Sequence, residues 1–443
     1  MSFFFCNFAA AMKKILCIWI LFLPAVAWAD VYTLSQCIDT AYANSIDLRV
    51  EQLSNQQKQL LYRQAWYNLS PNISGYMSES LSFGRSIGVD NISRAQNIAN
   101  TNMGVSASIV LFDGLAMKFN IDEAKASKLA SDANMEAVKR NLALNITSMY
   151  LDVLLKKELV LVAETQLSET EQQMERTRAK VEAHRLAEGE LYEMQAQYSK
   201  EQYQLLQAKN DLRIALLNLT QAIDIPYSED FDVAVPSEED LEGPLLPERD
   251  QVWQTALTNR PEIREAEYSL QAQQTALKTQ KAAYSPQLSA QAGVSTGYFH
   301  QMGADNTAFG KQLEDNFTTN VSVSLSIPIY NRMQTPTQVK NQLIAIENAR
   351  LKLEQKKKSI RKEIDQAYYN ALAAQSEKMA AQQAERSTAE AARYAAEKFE
   401  AGRGTVYEYS QAQQNYLEAV SSELRARYNY LFKVRILEYY MGL

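Results

Sequence analysis

The residues that could act as nucleophiles, general bases or metal ligands are few and far apart in the sequence. The chain has 443 residues but only two histidines, His184 and His300, and three cysteines. It shows no glycine-rich phosphate loop, no nucleophile elbow, and no cluster of histidine, cysteine and carboxylate residues at the spacing of a metal site. We therefore expect no catalytic residue, no cofactor and no bound metal, and an enzyme is the least favoured class.

The N-terminus has the pattern of a secretory signal. Lys13 and Lys14 precede the apolar run ILCIWILFLPAVAWA, which ends in small residues. We expect residues 1–29 to be removed and the mature chain to begin at Asp30. Translation begins either at the first methionine or at Met12. A retained N-terminal anchor is less favoured, because the apolar core is short and ends at a good cleavage site.

Charge and cysteine content narrow the possible partners. The formal charge is −7, and removal of two lysines with the signal leaves −9 (−7 − 2), which disfavours nucleic acid as a partner. Cys6 and Cys17 lie in the signal, so Cys37 stands alone and no internal disulfide is possible. We expect Cys37 to be an ordinary buried cysteine.

The chain repeats itself. AYANSIDLRVEQ, from Ala41, aligns with ALTNRPEIREAE, from Ala256, and the Ser-Pro pairs at Pro71 and Pro286 keep the same offset of 215 residues (256 − 41). The predicted domains are a first repeat at 30–222, a linker rich in proline and acidic residues at 223–250, and a second repeat at 251–443.

Four segments alternate apolar and polar side chains, at about 71–87, 101–113, 286–299 and 316–330. The proline that begins the first and the third segment stops the preceding helix and favours extended backbone in the residue before it. The alternation predicts strands and fits equally a soluble sheet or the wall of an outer-membrane barrel, with Glu79 as an exception on the apolar face. The predicted lipid-facing residues are Ile73, Met77, Val105, Ile109, Leu288, Val294, Val323, Leu325 and Ile327.

Long stretches without proline or glycine separate the strands. Residues 116–181 and about 337–401 are rich in Ala, Gln, Glu, Lys and Leu, and a helix of that length reaches roughly 100 Å at 1.5 Å per residue. The shorter helices are expected near 34–69 and 189–222, with counterparts in the second repeat. Any single helix of this composition fits a solvated coiled coil. Two matching sets of long and shorter helices, together with four membrane-type strands, favour a pore extended by a helical conduit.

Four strands cannot close a barrel, and open edges in lipid leave backbone groups unpaired at several kcal/mol each. Copies of the chain must therefore share a barrel if the strands lie in a membrane. Two copies give eight strands, which side chains fill, and three give 12, which suffices for an aqueous lumen.

The chain resembles the TolC-type outer-membrane efflux proteins over nearly all of its mature length. The resemblance rests on the two Ser-Pro strand starts, on LFDG and IPIYNR at the strand ends, on FEAGRGTVYEYSQAQQNYLEA, and on RARYNYLFKVRILEYYMG. It implies an α+β membrane protein of two tandem repeats, each with two strands and long helices. It further implies a homotrimer, in which a 12-strand β-barrel in the outer membrane continues into a 12-helix α-barrel in the periplasm.

The same resemblance implies that residues near two helix-hairpin turns form the entrance. Gln411 stands where the family has a second acidic residue, His184 stands where a glycine is usual, and the first turn looks longer than the family's. Glu193 aligns with Glu408 in the repeat. The entrance or gate candidates are Glu408, Gln411, Arg403, Phe399, Tyr192 and Glu193, and the candidates at the adaptor-docking turns are His184, Gly189, Gly402 and Gly404.

Each of these residues also has a plainer interpretation. Glu408 and Glu193 fit solvated helix charges, Arg403 fits an ordinary cation at a hairpin tip, and Phe399 and Tyr192 fit packing residues between helices.

We interpret the chain as a passive outer-membrane exit duct that makes and breaks no bonds. The implied partners are further copies of the chain, a periplasmic adaptor protein, an inner-membrane transporter of the RND, ABC or MFS type, and outer-membrane lipid. Drug efflux, metal efflux and protein secretion all fit such a duct. The alternative is a periplasmic coiled-coil adaptor or scaffold, which would lack the amphipathic strands, and a diffusion porin would need more strands and no long helices.

Overall fold

The computed structural model describes residues 31–87, 92–95, 97–236 and 245–442. The predicted signal at residues 1–29 lies outside the described residues. No described helix combines the length and apolar character needed to cross a bilayer.

Nine helices are found in the described ranges. Two of them have 67 residues each and occupy corresponding places in the two sequence repeats. In chain order the helices are α1 (Leu34–Asn44), α2 (Ile46–Tyr67), α3 (Ala116–Glu182), α4 (Glu188–Ala222), α5 (Arg249–Asn259), α6 (Pro261–Ala282), α7 (Phe309–Asp315), α8 (Gln334–Glu400) and α9 (Val406–Met441).

The helices expected near 34–69 and at its counterpart are each divided in two. α1 ends before Ser45, whose ψ of 121° leaves the helical region, and Thr33 caps its start in a capping box with Gln36. In the second repeat Pro261 is the first residue of α6, where its missing N–H is tolerated, and the extended Arg260 separates it from α5.

The strands of the described ranges form one four-stranded sheet and two short pairs. The strands are β1 (Val31–Tyr32), β2 (Asn72–Ser82), β3 (Arg85–Ile87), β4 (Ser93–Ala95), β5 (Ile98–Phe112), β6 (Asp232–Val233), β7 (Gln287–Gln301) and β8 (Thr318–Ser326). The main sheet is antiparallel in the order β2-β5-β7-β8. β2 and β8 are therefore its edges, and each has one side without a strand partner within the described chain.

The register places the predicted apolar side chains together. Val105 pairs with Val294, and Leu288 pairs with Leu325, and paired residues of an antiparallel ladder share a face. Continuing the alternation along each strand puts eight of the nine predicted residues on one face: Ile73, Met77, Val105, Ile109, Leu288, Val294, Val323 and Leu325. The opposite face carries mainly serine, asparagine, threonine and glutamine.

Two predicted strand ends are wrong. The strand expected to reach residue 87 stops at Ser82, and Gly84, with φ of 151°, separates it from β3. The strand expected to reach residue 330 stops at Ser326, so Ile327 lies beyond the sheet and is not part of its apolar face. Pro328 explains this end, because proline has no N–H with which to continue the ladder.

Side-chain amides hydrogen-bond to the backbone of β7 in the part of that strand that extends beyond its pairing with β8. β8 pairs with β7 only as far as Ser295. Beyond that residue, side chains from the segment that contains α7 and Asn316 bind the backbone of β7. Gln312 accepts from the Phe299 N–H at 2.9 Å and donates to its carbonyl at 2.9 Å, and Asn316 donates to the Gly297 carbonyl at 2.7 Å. These bonds supply backbone partners that a longer β8 would otherwise give.

Both repeats pass from strand to long helix through the same unusual backbone. Gly114 and Leu115 precede α3 with φ of 69° and 71°, and Arg332 and Met333 precede α8 with φ of 54° and 63°. Glycine is required at 114, because an added Cβ would lie 2.5 Å from the Ser285 Cβ.

Contacts divide the chain into two compact units, and each unit draws segments from both sequence repeats. One unit contains the described residues within 31–45, 142–245 and 371–434, and the other contains those within 46–141, 246–370 and 435–442. The first unit has its own apolar core, which includes Leu154, Leu219 and Cys37. Cys37 is fully buried, as expected, and burial raises the pKa of its thiol to about 11.

Candidate functional site

The second hairpin turn, residues 401–405, joins α8 to α9 through a Schellman motif. The Gly402 N–H donates to the Phe399 carbonyl and the Arg403 N–H donates to the Lys398 carbonyl, both at 3.0 Å. Gly402 has φ of 71°, which is the left-handed geometry that this motif demands. The bonds satisfy carbonyls at the end of α8 and allow an abrupt reversal of the chain.

The first turn, residues 183–187, joins α3 to α4 with the same motif. The His184 N–H donates to the Val181 carbonyl at 2.9 Å, and the Arg185 N–H donates to the Lys180 carbonyl at 2.8 Å. His184 has φ of 55° and is exposed. A histidine thus occupies the left-handed position that Gly402 holds in the second turn.

The two turns have the same length, and this changes the correspondence between acidic residues. Glu408 is the third residue of α9, and the third residue of α4 is Glu190. Glu193, which the repeat alignment sets against Glu408, is the sixth residue of α4 and corresponds by helix position to Gln411. One Oε atom of Glu190 is buried without a hydrogen-bond partner, whereas Glu193 is exposed.

Glu408 is held by neighbours at the start of its helix. Its backbone N–H donates to the Thr405 hydroxyl at 3.2 Å, its Oε2 accepts from the Thr405 N–H at 3.4 Å, and Lys398 Nζ lies 2.8 Å from the same Oε2. The hydrogen bond from Lys398 and the one from Thr405 lower the pKa of the Glu408 carboxyl. Glu408 therefore stays ionised in mildly acidic solution, but Lys398 offsets its charge.

Phe399 is a packing residue within its unit. It is 3% exposed and lies in a small cluster with Met174, Met194 and Val406. Its ring stacks on the ring of Tyr409, with the two ring centroids 5.5 Å apart. These contacts support the interpretation of Phe399 as a packing residue between helices. Tyr192, by contrast, has 65% of its surface exposed, so packing within the protomer covers only a minor part of it.

Of the remaining predicted turn residues, Arg403 and Gln411 make few contacts that would fix their role, and Gly189 and Gly404 stand where a side chain could be accommodated. Arg403 is exposed, and the amide of Gln411 donates to Asn415 at 3.0 Å. A Cβ added to Gly189 would contact nothing within 4 Å, and one added to Gly404 would approach the Phe399 nitrogen to 3.3 Å. Of the three glycines in this set, only Gly402 has the left-handed backbone that favours glycine.

Replacing His184 with glycine is expected to stabilise the first turn by about 0.5–1 kcal/mol. Left-handed backbone costs a residue with a Cβ about 1–2 kcal/mol, and the greater freedom of glycine in the unfolded chain offsets part of this. The measurement is the midpoint of thermal loss of helical circular dichroism. The neighbouring Ala183→Gly is the control and should lower the midpoint, and an equal fall for His184→Gly would contradict the assignment.

A buried polar stripe on α3 escaped the sequence interpretation. Gln166, Thr170, Gln173 and Thr177 are each at most 7% exposed, and they follow the 4-3-4 spacing of coiled-coil core positions. Glu201 of α4, 2% exposed, accepts from the Gln166 amide at 3.3 Å. The 4-3-4 spacing is a usable signal, but polar side chains at this spacing also fit a solvated helix face, so the sequence alone does not predict their burial.

The sheet carries a second candidate site, formed by its two faces and two open edges. Val323 and Leu325 are 64% and 60% exposed, and Met77 of β2 is 72% exposed, so the apolar face has no covering layer within the protomer. On the other face the Ser74 and Ser106 hydroxyls lie 3.2 Å apart.

Ser295 has the Gly-x-Ser-x-Gly spacing of a hydrolase nucleophile, but it lies within β7 and not at a strand-to-helix turn.

An amphipathic antiparallel sheet with open edges, in one chain with two very long helices that reverse through tight turns, fits the class of outer-membrane channel proteins. The chain belongs to the outer membrane efflux protein family, whose pattern it matches over residues 37–224 and 252–443. This is a family of transport channels and not of enzymes, and the protein is located in the outer membrane and extends into the periplasm. The family assignment favours a channel over the coiled-coil adaptor alternative.

Individual relatives are distant in sequence. The outer membrane efflux protein BepC of Brucella suis biovar 1 is 22% identical over 284 residues, which are 63% of this chain and 59% of BepC. The alkaline protease secretion protein AprF of Pseudomonas aeruginosa is 23% identical over 321 residues, which are 72% of this chain and 64% of AprF. The aligned chain thus spans less than two thirds of either relative.

The fold is shared more completely than the sequence. The solved structure of CusC, from work on its folding and transmembrane channel formation, aligns with a TM-score of 0.77 at 19% identity. The alignment covers 92% of this chain and 91% of the CusC chain.

Proposed function

We propose that three copies of this chain form a passive exit duct across the outer membrane. The observation that carries the proposal is the four-stranded sheet with one apolar face, one polar face and unpaired edges at β2 and β8. With an even number of strands, β8 of one copy runs antiparallel to β2 of the next, so identical copies can close a barrel. Three copies give 12 strands, enough for an aqueous lumen, whereas two give a filled barrel.

The long helices of the three copies would form the periplasmic part of the duct. In this arrangement 12 helical columns surround the path, and the first and second turns lie at its entrance. The exposed side chains of His184 and Arg403 are then available to a periplasmic adaptor, with Gly189, Gly402 and Gly404 shaping the turns. The names of BepC and AprF, an efflux protein and a secretion protein, support a role in export. The partners that would deliver cargo to the duct are a periplasmic adaptor and an inner-membrane pump of the RND, ABC or MFS type.

The experiment that tests this function is conductance in planar bilayers. Purified protein is expected to conduct ions passively, without nucleotide, and with a weak preference for cations from a ring of three Glu408 carboxylates. The preference is weak because Lys398 neutralises each carboxylate and because Gln411 supplies no second ring. In water, two carboxylates roughly 10 Å apart repel by only about 0.4 kcal/mol.

Variants at the second turn sharpen the test. Glu408→Gln is expected to lower the preference for cations, Lys398→Gln to raise it, and Gln411→Asp to strengthen block by multivalent cations. Glu377→Gln, at an exposed position midway along α8, is the matched control and should change neither property. If Glu408→Gln conducts like the parent, Glu408 is a surface charge only, whereas a folded oligomer that never conducts would contradict the duct itself.

A further inference from the structure

Three glycines interrupt the larger side chains on the polar face of the main sheet. They are Gly104 of β5 and Gly293 and Gly297 of β7. Glycine in the middle of a strand weakens it, and its presence there often marks a close approach by another group. The register pairs each glycine with a larger residue on an adjacent strand: Gly104 with Tyr76, Gly293 with Asn320, and Gly297 with Asn102.

The ring of Tyr76 lies over Gly104. A Cβ added to Gly104 would lie only 3.1 Å from the ring carbon Cε1 of Tyr76, so the ring leans from β2 across to β5 and does not stand upright on the sheet. Tyr76 is 52% exposed, which fits a ring with one side against the strand and the other in solvent. An aromatic ring laid on a strand glycine also covers the backbone that the glycine leaves bare.

Two asparagines lie over the other two glycines in the same way. Oδ1 of Asn320 would lie 2.9 Å from a Cβ added to Gly293, and Oδ1 of Asn102 would lie 2.9 Å from one added to Gly297. On the apolar face, by contrast, a Cβ added to Gly75 would approach no listed neighbour closer than 3.8 Å. Within these four strands, side chains thus lie over glycines on the polar face and not on the apolar face.

Gly104 leaves no room for a side chain of its own. On the β7 side, an added Cβ would lie 2.7 Å from the Val294 carbonyl oxygen and 3.0 Å from the Ser295 Cβ. The ladder between β5 and β7 fixes both of these atoms. On the β2 side, the Tyr76 ring can move by rotation to another staggered rotamer. A side chain at position 104 is therefore expected to lift the ring off the strand.

The position of this ring determines how much of a closed barrel stays open. Twelve strands about 4.8 Å apart and tilted by about 40° place the backbone roughly 12 Å from the barrel axis. An upright tyrosine would reach roughly half of that distance toward the axis, and three copies of the chain would contribute three such rings at one level. Rings that lie on the wall leave the lumen wide.

We propose that Gly104 is a positioning residue that keeps the Tyr76 ring flat on the barrel wall and thereby sets the width of the duct at this level. The inference rests on the proposed trimeric barrel, in which the polar face lines the lumen. Gly293 and Gly297 act in the same way on the smaller side chains of Asn320 and Asn102. The result is a wall of low side chains that admits bulky solutes.

The test measures how fast solutes from outside the cell reach a cysteine deeper in the lumen. Gln291→Cys supplies this cysteine, because Gln291 is exposed on the polar face and lies four residues (295 − 291) from Ser295 toward the start of β7, where α6 ends. Intact cells that produce the full chain are treated with a small maleimide or with a maleimide on a polyethylene glycol chain. The parent without Gln291→Cys gives the background from Cys37, which is fully buried.

All variants carry Gln291→Cys. Gly104→Ala is expected to slow labelling by the polymer at least about threefold and to keep labelling by the small maleimide within about twofold of the parent, because only the bulky reagent senses the raised ring. Adding Tyr76→Ala to Gly104→Ala should restore the polymer rate, because no ring is left to lift, whereas a distorted backbone would not be rescued in this way. Gly75→Ala is the matched control on the apolar face and should change neither rate.

Two results overturn the proposal. One is an equal polymer rate in the parent and in Gly104→Ala, and the other is a slow rate that persists when Tyr76→Ala is added. If Gly104→Ala does not assemble, Tyr76→Ala alone decides. A ring that already lies on the wall leaves the polymer rate unchanged when it is removed, whereas a faster rate would show that the ring projects into the lumen.

The small maleimide separates this inference from the proposed duct. If it labels Gln291→Cys in the parent, the polar face lines an open lumen, and the polymer rates test Gly104 by themselves. If neither maleimide reaches Gln291→Cys from outside, the proposed duct fails together with this inference.

Discussion

Arginine in place of Leu325 is expected to destabilise the assembled protein by about 2–4 kcal/mol, whereas arginine in place of Ser324 is expected to cost far less. Leu325 pairs with Leu288 on the apolar face, and Ser324 pairs with Ser289 on the polar face. A cation on the lipid face of a barrel must leave water near the bilayer midplane, but a cation facing an aqueous lumen stays hydrated. The measurement is unfolding in urea after reconstitution into lipid vesicles.

Cysteine labelling provides an independent check on the same faces. Cysteines at Ser324 and Ser326 should react with a membrane-impermeant reagent in vesicles, and a cysteine at Leu325 should not. Val323→Ala is the matched stability control, because it shortens an apolar side chain on the same face without adding charge. Equal labelling of both faces, or equal costs for the two arginine variants, would indicate a soluble sheet.

Proline in place of Ser322 is expected to abolish the oligomer. Ser322 lies in the middle of the edge strand β8, opposite Gln291 of β7. Its N–H either bonds to β7 or faces the open edge, and proline removes it in both cases. Within a membrane each backbone group left unpaired costs several kcal/mol. Ser322→Ala is the control, because it keeps the N–H and should assemble as the parent does.

Light scattering and circular dichroism together measure this effect. The parent should run as a trimer whose dissociation coincides with loss of strand signal, because a four-stranded segment with two open edges is not stable alone in lipid. Ser322→Pro should yield aggregated or unfolded chains. A monodisperse monomer with native circular dichroism, for the parent or for the variant, would refute the shared barrel.

Local rules account for much of the fold. The proline of each Ser-Pro pair lacks the N–H that a helix needs, and in both repeats a helix ends before the pair and a strand follows it. The period of two along β8 predicts which residues share its face, and the register bears this out for Val323 and Leu325. Both 67-residue helices were visible as stretches almost free of proline and glycine. These features depend on neighbours in sequence, so the sequence alone determined them.

Other features depend on residues that are distant in sequence, and only the tertiary structure decided them. The alignment of the two sequence repeats pairs Glu193 with Glu408. The two turns, however, fix where α4 and α9 begin, and counting from those residues pairs Glu190 with Glu408. Glu201 reads as one more charge on a polar helix, yet packing of α3 against α4 buries it to 2% exposure. Helical periodicity fixes which residues share a stripe. It does not fix whether that stripe meets water or another helix, because burial depends on which elements pack together.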